Sequence, residues 1–127
     1  MRKESEQALY TGIKFTESDQ VKENPIAHKE FLRLKKLYSH ITYIDALDQQ
    51  AINRYCLEVA ENIRLSKLAE KLEEKIDSLE DPDAGELVSL YKSISGIETE
   101  LRKNKEMLIK LEDRLLLNPT SRIKTVS

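Results

Sequence analysis

A stripe of leucine and isoleucine residues runs through the last third of the chain and leaves little choice of fold. It advances by alternating steps of three and four residues, and eight of its nine positions are apolar. Such spacing puts the side chains on one face of a long helix that packs against another helix. It predicts a helix over about residues 84–117. The nine positions are Leu87, Leu90, Ile94, Ile97, Leu101, Asn104, Leu108, Leu111 and Leu115.

The one polar member of this stripe is Asn104. A single asparagine in an apolar seam commonly fixes the register of the helices that pack there, at some cost in stability. Two placements would satisfy its amide group, either pairing with the same residue of another subunit or contact with water. The sequence leaves both open.

A second apolar pattern comes before the stripe and predicts a helix over about residues 45–79. Its first positions run from Ile52 to Ile63, and the pattern then shifts phase and continues from Leu65 to Leu79. The sequence EDPDAG follows, and its proline, glycine and acidic residues are typical of a tight polar turn. Because the two predicted helices are of similar length and joined by a short turn, we expect an antiparallel hairpin.

A shorter helix is predicted ahead of the hairpin, over about residues 25–39. Asn24 can cap its start, and Pro25 suits its first position. Apolar residues recur at helical spacing from Ala27 to Tyr38. We expect this helix to pack across one end of the hairpin.

These elements divide the chain into three parts and predict an all-α fold. The polar first residues have few apolar anchors, which favours a flexible arm with room for a short helical turn. The three parts are an arm over 1–24, a helical domain over 25–117 and a tail over 118–127.

The composition agrees with long helices and narrows the cellular setting. Charged residues make up 35% of the chain, aromatic residues 6%, and there are only three glycines and three prolines. The single cysteine, Cys56, excludes an internal disulfide and suits a reducing compartment. No apolar run approaches the length of a membrane span, and the N-terminus lacks the apolar stretch of a signal peptide. These features predict a soluble intracellular protein.

Residues with catalytic or metal-binding potential are few and scattered. His28 lies in the first predicted helix and His40 follows that helix, twelve residues further on, and no histidine or cysteine cluster has metal-ligand spacing. The glycines stand alone, so the sequence contains no phosphate-binding glycine loop. Cys56 falls on an apolar stripe, where a buried filler is expected rather than a nucleophile. We expect no enzymatic activity, no metal and no cofactor.

Positive charge collects in the short first helix. Residues 25–44 carry four basic groups and one acidic group, whereas residues 45–83 carry five basic and eleven acidic groups. Lys29, Arg33 and Lys36 share one helical face, and such a face can neutralise the phosphates of nucleic acid. A solvated surface without a ligand is the plainer interpretation of the same pattern. Further candidates for phosphate contact are Lys22, Lys35, Arg122 and Lys124.

Four segments, in this order, resemble the small subunit of bacteriophage terminases. PIAHKEFLRLKKLY resembles the first core helix of that family, with Phe31 where the family usually has tryptophan. IDALDQQAINRYCLEVAENIR resembles the second, with Asp48 ahead of Tyr55 and Cys56. A long charged helix and a broken turn follow, although this turn carries more charge than the family pattern. LLLNPTSRIK resembles the family's leucine-rich ending, so the likeness covers about residues 25–124.

The resemblance implies a function that composition alone does not reach. Subunits of this family bind double-stranded viral DNA at the packaging start and assemble as rings. They recruit a large subunit that carries the ATPase and nuclease activities, and they have no hydrolytic chemistry of their own. A chain of this kind would therefore be a non-catalytic DNA-recognition subunit in the host cell cytoplasm, without a membrane partner.

A ring would also explain how a weak basic face could bind DNA. Linking many weak contacts raises the total affinity through effective concentration. Neighbouring subunits would pack through apolar stripe residues that the hairpin does not use. The candidates for this oligomer interface are Leu87, Leu90, Ile94, Ile97, Leu101 and Leu108.

Two other functions fit the same sequence. A helical-hairpin scaffold or chaperone-like protein would form an oligomer and bind protein, but no DNA at any salt concentration. A monomeric enzyme regulator would not oligomerise. Light scattering separates the monomer from the oligomers, and a gel shift with viral-end DNA separates the DNA-binding subunit from the scaffold.

Overall fold

The computed structural model describes residues 16–38 and 46–115, which are mostly helical and contain no strand. The all-α prediction is confirmed. The two longest helices pack against each other, and every predicted helix begins within one residue of its expected start. In this part of the chain, no helix combines the length and the apolar character that crossing a membrane requires. The helices are α1 (Asp19–Glu23), α2 (Pro25–Leu37), α3 (Ala46–Ser78) and α4 (Ala84–Arg114).

Asn24 joins α1 to α2 and caps α2. Its side-chain Oδ1 accepts hydrogen bonds from the backbone N–H groups of Ile26 and Ala27, each at 3.1 Å. Two of the otherwise unpaired donors at the helix start are thereby satisfied. Pro25 occupies the first turn of α2, where its missing N–H forfeits no hydrogen bond. The start of α2 is thus fixed by its local sequence.

α1 lies in the segment that the sequence assigned to a flexible arm. Ser18 caps it by accepting a hydrogen bond from the Val21 N–H at 3.3 Å, and the Val21 side chain is fully buried. The Asn53 amide in α3 accepts from the Ser18 N–H and donates to the Thr16 carbonyl, each at 2.8 Å. This part of the arm is therefore folded, and the preceding part lies outside the described residues, as does the tail predicted from residue 118.

The described chain divides into two compact units. Unit 1 comprises the described residues up to Ala60 and those from Leu108 onward, and unit 2 comprises Glu61–Met107. Both long helices contribute residues to each unit.

The core of unit 1 is formed by α1, α2, the first half of α3 and the end of α4. Leu34, Ile52 and Cys56 are almost completely buried in it. The Tyr38 hydroxyl, just after α2, donates a hydrogen bond to the Leu115 carbonyl, just after α4. A hydrogen bond thus joins the residue that follows α2 to the residue that follows α4. The remaining buried apolar residues of this unit are Val21, Ala27, Phe31, Ala51, Tyr55, Ala60 and Leu111.

Unit 2 has a thinner core in which an asparagine pair replaces an apolar contact. The amide of Asn62 in α3 donates to Oδ1 of Asn104 in α4 at 2.8 Å, and Asn104 is only 5% exposed. The polar member of the stripe therefore has a partner within its own chain. Leu65 and Ile94 are the buried apolar residues of this unit, all of which is described.

A short polar turn joins α3 to α4, where the sequence predicts one. Asp81 has a positive φ of 48°, a left-handed conformation that aspartate tolerates better than most residues. Pro82 cannot continue a helix because it lacks the N–H that the ladder needs. The Asp83 carboxylate caps α4 by accepting a hydrogen bond from the Glu86 N–H at 2.7 Å.

Candidate nucleic-acid interface

α2 turns one side to the core of unit 1 and the other to solvent. Ala27, Phe31 and Leu34 are buried at spacings of four and three residues. At about 100° per residue, Lys29, Arg33 and Lys36 lie on the opposite side of the helix. All three are exposed, and we call them the basic face. The structure thus brings together the three residues that the sequence placed on one surface.

Arg33 is hydrogen-bonded to a neighbouring carboxylate. Its Nε donates to both carboxylate oxygens of Glu30, at 2.9 and 3.1 Å, and its Nη2 donates to Oε1. These hydrogen bonds raise the pKa of Arg33, and Glu30 offsets part of the positive potential of the guanidinium. An exposed ion pair three residues apart contributes little to stability. Glu30 therefore competes weakly with any phosphate that approaches Arg33.

Within residues 16–38 and 46–115, Lys29 and Lys36 are the two cations of the basic face that have no ion-pair partner. Among the described residues, no carboxylate lies within ion-pair distance of either ammonium group. They are separated by two helical turns, or about 10 Å along the axis. Lys35 at the edge of the face and Lys22 on α1 are exposed as well. Arg122 and Lys124 lie outside the described residues.

Two structural features bear on the plainer interpretation of this surface. Lys35 and Lys36 lie in the last turn of α2, where a positive charge is favourable beside the helix dipole. The presence of these two lysines is therefore partly explained by the stability of α2, without any ligand. Leu32 is 50% exposed and lies next to Lys36 around the helix. A ligand that meets the basic face would meet this apolar side chain too.

The six stripe residues predicted to join subunits have a different environment. Ile94 is buried and the other five are half-buried, since α4 packs against α3. Contact between subunits through these six residues stays a prediction.

The exposed large apolar residues of unit 2 are Leu68, Val88 and Tyr91. The apolar stripe did not point to Val88 and Tyr91 because they fall outside it, although their three-residue spacing places them on one helical face.

Cys56 and His28 are residues of unit 1 whose side chains could act as a nucleophile or as a metal ligand. Burial raises the pKa of the Cys56 thiol to about 12, so the thiolate that a nucleophile requires does not form near neutral pH. Nδ1 of His28 lies 2.5 Å from a carboxylate oxygen of Glu17, which anchors the segment before α1 to α2. Within residues 16–38 and 46–115, no group of histidine, cysteine, aspartate and glutamate side chains could hold a metal ion. His40 lies outside those ranges.

The chain matches no protein-family model, no curated protein and no solved structure.

Proposed function

We propose that this chain is the DNA-recognition subunit of a viral genome-packaging terminase. It binds double-stranded viral DNA at the packaging start in the host cell cytoplasm. It recruits the large ATPase and nuclease subunit without catalysing a reaction itself. The observation that carries this proposal is the exposed basic face of α2. The partners are those implied by the resemblance of residues 25–124 to terminase small subunits.

The basic face is fixed in position before any ligand arrives. Phe31 and Leu34 bury the opposite side of α2 in the core of unit 1, and Asn24 secures the helix start. A charged surface on an ordered helix loses less conformational entropy on binding than one on a mobile segment. This favours a binding surface over an incidental run of lysines.

One copy of this face would bind DNA weakly. If all three cations neutralised a phosphate, the slope of log affinity against log salt would be only about −2.7. Repetition of the face around a closed oligomer multiplies the contacts without new chemistry, because each further contact is made at high effective concentration. The proposed function therefore includes a homo-oligomer, arranged as a ring.

The long helices are proposed to form an antiparallel hairpin that builds this oligomer. Support for the hairpin comes from the short turn between α3 and α4 and from the hydrogen bond that joins Asn62 to Asn104. Support for the oligomer comes from the thin core of unit 2. Val88 is 53% exposed and Tyr91 is 58% exposed, and a neighbouring copy could cover such side chains.

A gel shift with double-stranded DNA that contains the packaging start tests the basic face. The variant Lys29→Ala, Arg33→Ala, Lys36→Ala should bind at least about tenfold more weakly at low salt, because each subunit loses up to three phosphate contacts. The fold should be unaffected, since all three side chains are exposed.

The matched control replaces Lys67, Lys71 and Lys75 by alanine. These three lysines are also exposed and share one face of α3, so the control removes the same charge from another surface. It should bind DNA like the wild-type chain. Equal DNA binding by the α2 variant and the wild-type chain would show that α2 is not part of the site. An equal loss of DNA binding in the α2 variant and the α3 control would show that only the net charge of the chain matters.

An oligomeric scaffold that binds only protein is the second candidate function. It is favoured by the exposure of Val88 and Tyr91 in unit 2, since exposed apolar residues that lie together commonly mark protein-binding surfaces. Such a scaffold would leave DNA unshifted at every salt concentration, so the same gel shift decides between the two.

A further inference from the structure

Unit 2 carries a groove of about 370 Å³ between the end of α3 and the start of α4. Ile76, Ile94 and Tyr91 supply its apolar surface. Glu73, Asp77 and Glu98 supply three carboxylates, and none of the lining residues in the described ranges is basic. The groove therefore combines an apolar floor with negative charge on both helices.

This combination favours a short segment in which basic and apolar side chains alternate. Among the described residues, none of the three carboxylates has an ion-pair partner. More than half of the Tyr91 side chain is exposed, and a tyrosine ring attracts a cation that lies over its face. A basic segment would thus meet both carboxylates and an aromatic ring.

We propose that this groove binds the C-terminal tail of a second copy of the chain. Residues 118–127 carry Arg122 and Lys124 and no acidic residue, and Ile123 lies between the two cations. In an extended segment neighbouring side chains alternate in direction. Ile123 would then face the apolar floor while Arg122 and Lys124 start out on the opposite side. The long stems of these two side chains would let their charged groups bend round to the exposed carboxylates. This contact extends the proposed oligomer and gives the tail a protein site in place of DNA.

A second copy is chosen because Val88 and Tyr91 of unit 2 are exposed, and Tyr91 lines the groove. The proposed oligomer would bring a neighbouring chain to this surface. A tail that instead folded back onto its own chain would leave self-association unchanged when its charges are reversed, and that result would overturn the contact.

Charge reversal in the full-length chain tests this contact without DNA. The tail variant carries Arg122→Glu and Lys124→Glu, and the groove variant carries Glu73→Lys and Asp77→Lys. Each should weaken self-association by about tenfold in sedimentation experiments, because attraction between exposed charges becomes repulsion. A chain with all four changes should recover association, since its reversed charges are again complementary.

The matched control carries Glu70→Lys and Glu74→Lys, two exposed residues of α3 that do not line the groove. It should associate like the wild-type chain. The tail contact is overturned if the wild-type chain is monomeric, if the tail variant associates normally, or if the four changes together fail to restore association. A tail variant that associates normally while the α2 variant loses DNA binding would leave the packaging function standing and remove only the tail site.

Discussion

Replacing Phe31 by alanine is expected to lower the free energy of unfolding by about 3–5 kcal/mol, the usual cost of removing a buried phenylalanine. The side chain is 3% exposed and lies on the buried side of α2. The loss includes the transfer of the ring and the cavity left behind, which the packed core of unit 1 cannot fully close. Because small proteins are stable by about 5–15 kcal/mol in total, the substitution should move the urea midpoint strongly.

The adjacent residue provides the control for that experiment. Leu32 is half exposed, so Leu32→Ala should change the unfolding free energy by no more than about 0.5 kcal/mol. Urea titrations followed by far-UV circular dichroism compare the two variants. Similar midpoints for both would mean that α2 is not held against unit 1 by its Phe31 side, and the orientation of the basic face would lose its basis.

The second large effect is expected at the asparagine pair of unit 2. Asn62→Ala removes the amide that donates to the buried Oδ1 of Asn104 at 2.8 Å. Leaving a buried acceptor without this donor should lower the unfolding free energy by about 1–3 kcal/mol. Replacing both asparagines by leucine should recover part of that loss, since two apolar groups need no hydrogen bond from each other.

Lys105→Ala is the control for the pair, because Lys105 is exposed and follows Asn104 directly. It should leave the urea midpoint within error of the wild-type value. A double leucine variant that is less stable than Asn62→Ala would contradict this explanation. It would show that the pair is kept for a geometry that leucine cannot reproduce.

The long helices could be predicted from sequence because their signals are local and repeated. The stripe of α4 spans many turns, and the acidic turn with Pro82 separates it cleanly from α3. The start of α2 at Pro25 could also be predicted, since a capping asparagine and an N-terminal proline act on the backbone directly. The antiparallel direction of the two long helices stays a prediction.

α1 could not be predicted in the same way. A helix of five residues is too short to show periodicity. Its stability comes from tertiary contacts, namely the burial of Val21 and the hydrogen bonds between Asn53 and the backbone of Thr16 and Ser18, just before α1. The available signal was the capping serine, Ser18, followed by Asp19 in the first turn.

The candidate site shows the same division between local and tertiary information. Helical spacing alone placed Lys29 and Lys36 on a shared outward side of α2. The hydrogen bonds of Arg33 to Glu30 depend on side-chain rotamers, which spacing does not determine. Tyr91 and the groove it lines depend on how α4 packs against α3 within unit 2, and the stripe does not contain that information.

The salt dependence of DNA affinity bears directly on the proposal that many copies of the basic face bind one DNA together. We predict a slope of log affinity against log salt distinctly steeper than about −2.7, the value for three phosphate contacts by a single copy. The Lys29→Ala, Arg33→Ala, Lys36→Ala variant should flatten it. A wild-type chain that binds no DNA at low salt, or whose slope does not exceed that of one copy, would contradict the proposal.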